Sequence, residues 1–179
     1  MLEREKTALL VIDFQDKLLT KTFNAGTIIP HTVKLIRFAH ELDLPVLVTE
    51  QYPQGLGPTT DALARELGEV APLEKTSFGC FGDDGFVAAL MATGCKHLLV
   101  TGIETHVCVM QTVLAALEEG YEVFVARDAV GSRQAGDHEA GLARMAKAGA
   151  ELVTTEMAMF EILRDAATAQ FKRILPLLK

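Results

Sequence analysis

The chain has 179 residues, 49% of them hydrophobic, with 17 Lys and Arg against 24 Asp and Glu and a formal net charge of −7. That length suits one well-buried α/β domain, residues 1–179, and is short for two. An acidic balance without a basic cluster excludes the usual nucleic-acid and anionic-membrane binders, and the apolar runs are too short to span a bilayer.

Strand-like and helical runs alternate along the chain. Residues 7–12 (Thr-Ala-Leu-Leu-Val-Ile) read as a buried strand. Residues 27–42 read as a helix, with Ile28, Ile29, Val33, Ile36 and Leu42 on its apolar side, and 45–49 as a strand. Asp61 can cap a helix over 61–67, and Asp83 or Asp84 another to about Thr93. Residues 97–101 are a strand, counted as the fourth. From Thr105, the apolar residues Val109, Val113, Leu114 and Leu117 recur at helical spacing until Gly120. Strand 122–126, helix 136–148, strand 151–154 and a helical region from Met157 complete the chain. Near-continuous apolar strands are buried on both faces. The predicted fold is therefore α/β, a doubly wound, mostly parallel six-stranded sheet with helices on both faces, a Rossmann-like three-layer sandwich.

Ligands of such sheets bind beyond the carboxyl ends of the strands, where strand order reverses. The first strand delivers Asp13, Phe14 and Gln15 there. The second delivers Thr49, Glu50, Gln51 and Tyr52, the fourth Gly102, Ile103, Glu104 and Cys108, and the fifth Arg127 and Asp128. Cys108 falls in the first helical turn after a strand, where unpaired N–H groups and the helix dipole favour a thiolate and an adjoining oxyanion. Most free cysteines are simply small buried hydrophobes. First and fourth strands are typically neighbours here, so Asp13 can meet Cys108 and take its proton. A carboxylate beside a thiolate needs a cation, which Lys75 in Leu73-Glu74-Lys75-Thr76-Ser77-Phe78 can supply. Asp128 is assigned the plainer role of a cap.

Asp13 ending an apolar strand, Lys75 in Lys-Thr-Ser-Phe, and Gly102-Ile103-Glu104-Thr105-His106-Val107-Cys108-Val109 resemble the three signature segments of the isochorismatase-like cysteine hydrolases. The match runs over essentially the whole chain. Thr49-Glu50-Gln51-Tyr52-Pro53-Gln54-Gly55-Leu56-Gly57-Pro58-Thr59, with Ala143-Arg144-Met145, is most similar to the isochorismatase domain-containing subgroup. The resemblance implies a triad of Asp13, Lys75 and Cys108, a cis peptide between Ile103 and Glu104, and an oxyanion hole from the backbone N–H groups of Glu104 and Cys108. It further implies attack of Cys108 on a carbonyl carbon, proton shuttling by Asp13 to a leaving amine, and hydrolysis of a thioester by water. It also implies a homo-oligomer.

The chain departs from the nicotinamidases of that family. Its second-strand end, Glu50-Gln51-Tyr52-Pro53, has no histidine for their metal. His31, His40, His97, His106 and His138 make no ligand spacing either, so no metal and no cofactor is expected. Retention of Cys108 favours C–N over vinyl-ether hydrolysis. His106, two residues from Cys108 on a helix, faces away from it and is assigned to the pocket rim or an interface. Cys80 is assigned to burial, with an approach to the site left open, and Cys95 to helix-end packing. Phe14, Gln15, Tyr52, Phe78 and Ile103 are the candidate lining of a pocket for a small planar or ring-bearing substrate.

The reading is a metal-independent cysteine hydrolase cleaving a small amide or related C–N bond. Three alternatives accompany it: a vinyl-ether hydrolase of the isochorismate type, an idle scaffold or thiol sensor, and a nucleotide-binding domain, which the missing glycine fingerprints disfavour. Three scattered cysteines without a Cys-x-x-Cys pair, and a charged Met1-Leu2-Glu3-Arg4-Glu5-Lys6 start with no signal peptide, point to the cytoplasm. Phe160, Ile162, Leu163, Phe171, Ile174, Leu175 and Leu178 are expected to form an exposed apolar face for self-association.

Overall fold

The structure, a computed structural model, describes residues 1–178. Its strands are β1 (Thr7–Ile12), β2 (Val46–Gln51), β3 (Leu73–Lys75), β4 (His97–Ile103), β5 (Glu122–Gly131) and β6 (Glu151–Val153). They form one sheet in the order β3-β2-β1-β4-β5-β6, with every neighbouring pair parallel. Nine α-helices lie among the described residues: α1 (Asp16–Leu19), α2 (Ala25–Glu41), α3 (Pro53–Leu56), α4 (Asp61–Leu67), α5 (Asp84–Thr93), α6 (Met110–Glu118), α7 (Ala135–Ala148), α8 (Thr155–Leu163) and α9 (Ala169–Ile174). None is long and apolar enough to cross a membrane.

Strand periodicity of two explains the three layers. Leu9 and Val11 of β1, with Leu99, Ile103 and Phe124, face one core, which α2, α4, α8 and α9 close with Ile28, Leu35, Phe38, Leu63, Met159 and Ile174. Ala8, Leu10 and Ile12, with Leu98, Val100, Val123 and Val125, face the other, closed by Phe86, Leu90, Val113, Leu142 and Met145 of α5, α6 and α7. Strand order reverses between β1 and β4, so their carboxyl ends flank the crevice that such sheets use for ligands.

The structure departs from the sequence expectations at identifiable places. The run from Thr105 does not begin as an α-helix: Thr105–Val109 is one π-helical turn, and α6 starts at Met110. β5 continues past Ala126, because a register shift between Val100 and Gly102 of β4 swells β5 at Arg127-Asp128 before Val130 and Gly131 pair again. Thr60, not Asp61, holds the N-cap position of α4, without a side-chain cap bond, whereas Asp83 caps α5 by accepting from the Phe86 N–H. The proposed C-terminal apolar face is largely interior: Ile162, Leu163 and Ile174 are buried, and Phe160 and Leu175 remain exposed.

Candidate active site

Two backbone features bring the strand ends together. Gly102 of β4 pairs with Ile12 of β1, and a Cβ at Gly102 would sit 2.6 Å from Ile12 Cβ and 2.7 Å from its carbonyl oxygen. Its φ of +153° also lies in the region that glycine tolerates. Only glycine permits that approach. Asp13, the residue that follows β1, has φ +56°, a left-handed conformation that aspartate accepts more readily than most residues. On the β4 side, the Ile103–Glu104 peptide is cis, and the π-turn carrying Cys108 follows at once.

A buried ion pair forms the floor. Lys75 Nζ lies 2.7 Å from Asp13 Oδ2, with both side chains essentially inaccessible to water. The ammonium also donates to Gln51 Oε1 at 2.7 Å and to the carbonyls of Phe78 at 3.1 Å and Ser77 at 3.3 Å. Four acceptors around three N–H donors leave no proton to spare. The Lys75 head group is therefore fixed in place against Asp13. Asp13 Oδ1 accepts from the Thr49 hydroxyl at 2.7 Å. Gln51 is held in turn: its side chain donates to the Thr76 carbonyl, and its backbone N–H donates to Gln15 Oε1.

Cys108 completes the cluster from the carboxyl end of the neighbouring strand β4. Its buried thiol lies close enough to the Asp13–Lys75 pair for both charges to act on it. Cys108 is only 6% exposed. Burial first, and the Asp13 carboxylate second, push this thiol above the ordinary thiol range against the pull of Lys75. Low-dielectric surroundings thus oppose the thiolate that the turn's N–H groups and Lys75 favour. The turn's electrostatics also differ from a plain helix N-terminus, since the Glu104 carbonyl takes the N–H groups of both Val107 and Val109. The Glu104 side chain faces outward to Arg133, which donates to it through Nε at 2.9 Å.

The suggested pocket residues divide. Phe14 and Ile103 are fully buried in the core on the face opposite Cys108, so they are packing residues rather than pocket walls. Gln15 is also buried, and its amide is used up on the Gln51 and Gly57 carbonyls and the Gln51 N–H, which makes it a strut. Tyr52 and Phe78 are 54% and 57% exposed. Both flank Lys75: the Tyr52 N–H donates to the Lys75 carbonyl, and the Phe78 carbonyl accepts from Lys75 Nζ. A cleft of about 260 Å³ bounded by Tyr52, Pro53, Gln54, Glu74, Lys75, Thr76 and Asp83 reaches the lysine from the β2–β3 side.

His106 contacts Ser132 Oγ at 3.1 Å and lies 3.8 Å from Asp137, away from the thiol. Cys95 is buried at the end of α5, its N–H bonded to the Thr93 hydroxyl. Cys80 does approach the site, with its thiol beside the Thr49 and Thr112 hydroxyls; burial pushes it up to about 11. Among the described residues no three His, Cys, Asp or Glu side chains cluster as metal ligands. Thr49 and Gln51 are the residues that sequence reasoning left without a role. Their signal was available: positions 49 and 51 share one face of a strand that ends beside Asp13, while Glu50 points away and binds the Thr59 N–H and hydroxyl.

The site is thus a doubly wound parallel sheet carrying a buried Asp–Lys pair and a cysteine at its switch point. The isochorismatase domain model matches residues 7–157, and the chain belongs to that family. It is 35% identical to isochorismatase domain-containing protein 2A of Mus musculus, over 98% of this chain and 84% of that one. Among solved structures, the MAR1 ribonuclease of Caenorhabditis elegans superposes with a TM-score of 0.93 at 34% identity, covering 99% of this chain and 91% of the other. The YcaC gene product of Escherichia coli, described as an octameric hydrolase of unknown specificity, superposes with a TM-score of 0.91 at 28% identity, covering 98% and 89%.

Proposed function

We propose that this hydrolase-family protein is a metal-independent cysteine hydrolase of small amides or related C–N bonds, acting through a thioester on Cys108. The observation that carries this reading is the buried Asp13 carboxylate, pinned by Lys75 at 2.7 Å and acting electrostatically on the Cys108 thiol. As Sγ attacks the substrate carbonyl carbon, its proton passes to Asp13. The tetrahedral oxyanion is received by the N–H groups of Glu104 and Cys108. Its collapse breaks the C–N bond, with the Asp13 proton going to the leaving nitrogen. Water then attacks the thioester and gives a proton to Asp13, which returns it to the thiolate as the acid leaves. Lys75 keeps its protons throughout and balances the charge. Removing one oxyanion donor in such a site typically costs ~3 kcal/mol of transition-state stabilisation.

The Caenorhabditis elegans relative is named a ribonuclease. A chain of net charge −7 is a poor partner for a polyphosphate, which supports a small substrate instead. The octameric Escherichia coli relative supports self-association, for which the exposed Met157, Phe160 and Leu175 are apolar contact residues; light scattering of the purified chain checks it. Three free cysteines suit a reducing cytoplasm.

The test is limited alkylation of the native protein at about pH 6, with the adduct located by peptide mass spectrometry, followed by a broad amide screen. Labelling confined to Cys108, altered by Asp13→Asn and Lys75→Met and accompanied by ammonia or amine release, supports the reading. Pyruvate release would assign vinyl-ether hydrolysis. Indiscriminate labelling of Cys80, Cys95 and Cys108 with no turnover would leave a scaffold.

A further inference from the structure

Thr49 grips Asp13 at two points. Its carbonyl accepts the Asp13 N–H at 3.1 Å, and its hydroxyl donates to Asp13 Oδ1 at 2.7 Å. It is buried, so no bulk water replaces that donor. Resting on the cysteine-hydrolase reading, we propose that Thr49 is a positioning residue that sets how tightly Asp13 holds the proton it exchanges with Cys108.

The proton shared by Cys108 and Asp13 has two arrangements: thiol beside carboxylate, or thiolate beside carboxylic acid. A hydroxyl donor strengthens its bond when the carboxylate is charged, so Thr49 favours the first arrangement. It keeps the nucleophile masked at rest. It also keeps the transferred proton loosely held, so that the leaving nitrogen can take it. Without Thr49, Asp13 becomes the stronger base, which unmasks the thiolate more often but retains the proton when the C–N bond must break. Few other groups can set this balance. The ionisable groups around Asp13 are Lys75 from β3, Cys108 from the π-turn and Cys80 from the turn at Cys80–Gly82. Cys80, pushed up to about 11, stays a thiol at neutral pH. Glu50 is occupied by Thr59 and Glu104 by Arg133.

The experiment measures the rate of Cys108 alkylation by iodoacetamide against pH, read by peptide mass spectrometry on the full chain. In each event the Sγ–C bond forms, iodide leaves and the thiol proton ends on Asp13. Because thiol/carboxylate and thiolate/acid carry the same number of protons, the acid limb belongs to the pair. Thr49→Val is expected to raise the plateau about tenfold and to move the acid limb up by about one pH unit, the scale of one hydrogen bond to a charged group, so that the two profiles converge at low pH. Thr49→Ser keeps the hydroxyl and is expected to restore the wild-type profile. A merely structural threonine would give the opposite pattern: lower labelling at every pH with the limb unmoved, which overturns the proposal, as does an unchanged profile. If Thr49→Val does not fold, Thr49→Ala removes the same hydroxyl and is read the same way. Asp13→Asn separates the two levels. If it abolishes the acid limb while the Thr49 variants do nothing, the site reading stands and the proposal falls. If Asp13→Asn also changes nothing, Asp13 is not the proton partner and both fall.

Discussion

Asp13 and Asp128 occupy comparable places, each at or near the carboxyl end of a parallel strand, yet their surroundings give them different work. Asp13 is fully buried, shares Oδ2 with Lys75 and Oδ1 with Thr49, and its charge acts on the Cys108 thiol. Asp128 is partly exposed, sits on the swelling of β5, and spends Oδ1 on the N–H and hydroxyl of Thr155 at the start of α8. Its Oδ2 lies 3.4 Å from His31 Nδ1. A carboxylate whose partners are a helix end and a peripheral imidazole is a cap. One whose partners are a locked cation, a hydroxyl and an exchangeable thiol proton can do acid–base chemistry. The chemistry follows from the partners, not from the position on the sheet.

The sharpest way to break this contrast is Asp13→Asn. The side-chain shape survives, but the proton acceptor is lost. Turnover on whichever amide the screen identifies is expected to fall by a factor of about 10³, within the span that general acid–base groups contribute. Asp128→Asn is expected to leave turnover near wild type in the same assay. Equal losses in the two variants would mean that the carboxylates matter for folding alone.

Lys75→Met comes next. It leaves the buried Asp13 carboxylate without its cation, and breaking one side of a buried pair typically costs about 3–5 kcal/mol. Urea denaturation should show that loss, and the double variant Asp13→Asn/Lys75→Met should recover part of it, since neither charge is then left unpaired. A double variant no more stable than Lys75→Met would show that the pair does not act as a unit.

How much of this was legible in the sequence depended on range. β1 matched residue for residue, because six consecutive buried residues between a charged start and Asp13 leave no other register. The buried pairing of Asp13 with Lys75 is legible through motif resemblance, which also offers Cys108 as the candidate nucleophile. The π-turn was not: Thr105–Val109 carries apolar spacing indistinguishable from the helix that follows, and its distinct winding is set by contacts with the rest of the fold. One such contact comes from α7, where a Cβ on Gly141 would meet His106 Cα at 3.0 Å. The faces taken by Phe14 and Ile103 are not legible, because a strand-end position does not say which side of the sheet a side chain takes. The upward push that burial exerts on the Cys108 thiol is illegible for a related reason, since spacing shows the nearby lysine but not the loss of water.

Asp128→Ala tests the other half of the comparison. Losing a carboxylate that satisfies a helix-start N–H typically costs about 1 kcal/mol. Thermal melting should register that loss while Cys108 labelling stays at its wild-type rate. A changed labelling rate would couple the two strand ends and erase the distinction between cap and acid–base group.

The smallest expected effect lies beside the π-turn. His138 is buried, its Nδ1 is 2.9 Å from the Thr105 hydroxyl, and burial lowers its proton affinity below the ordinary 6.5. The unfolded chain therefore binds this proton at a higher pH than the folded one does. The neutral imidazole's contribution is complete above about pH 6.5 and is lost as the pH falls toward the folded-state value. Melting temperatures taken from about pH 7 down to about pH 5 should fall more steeply in wild type than in His138→Gln, whose amide can still meet Thr105 but does not titrate. Parallel curves would show that His138 binds its proton equally in both states, and the π-turn would then have no acid-sensitive support from α7.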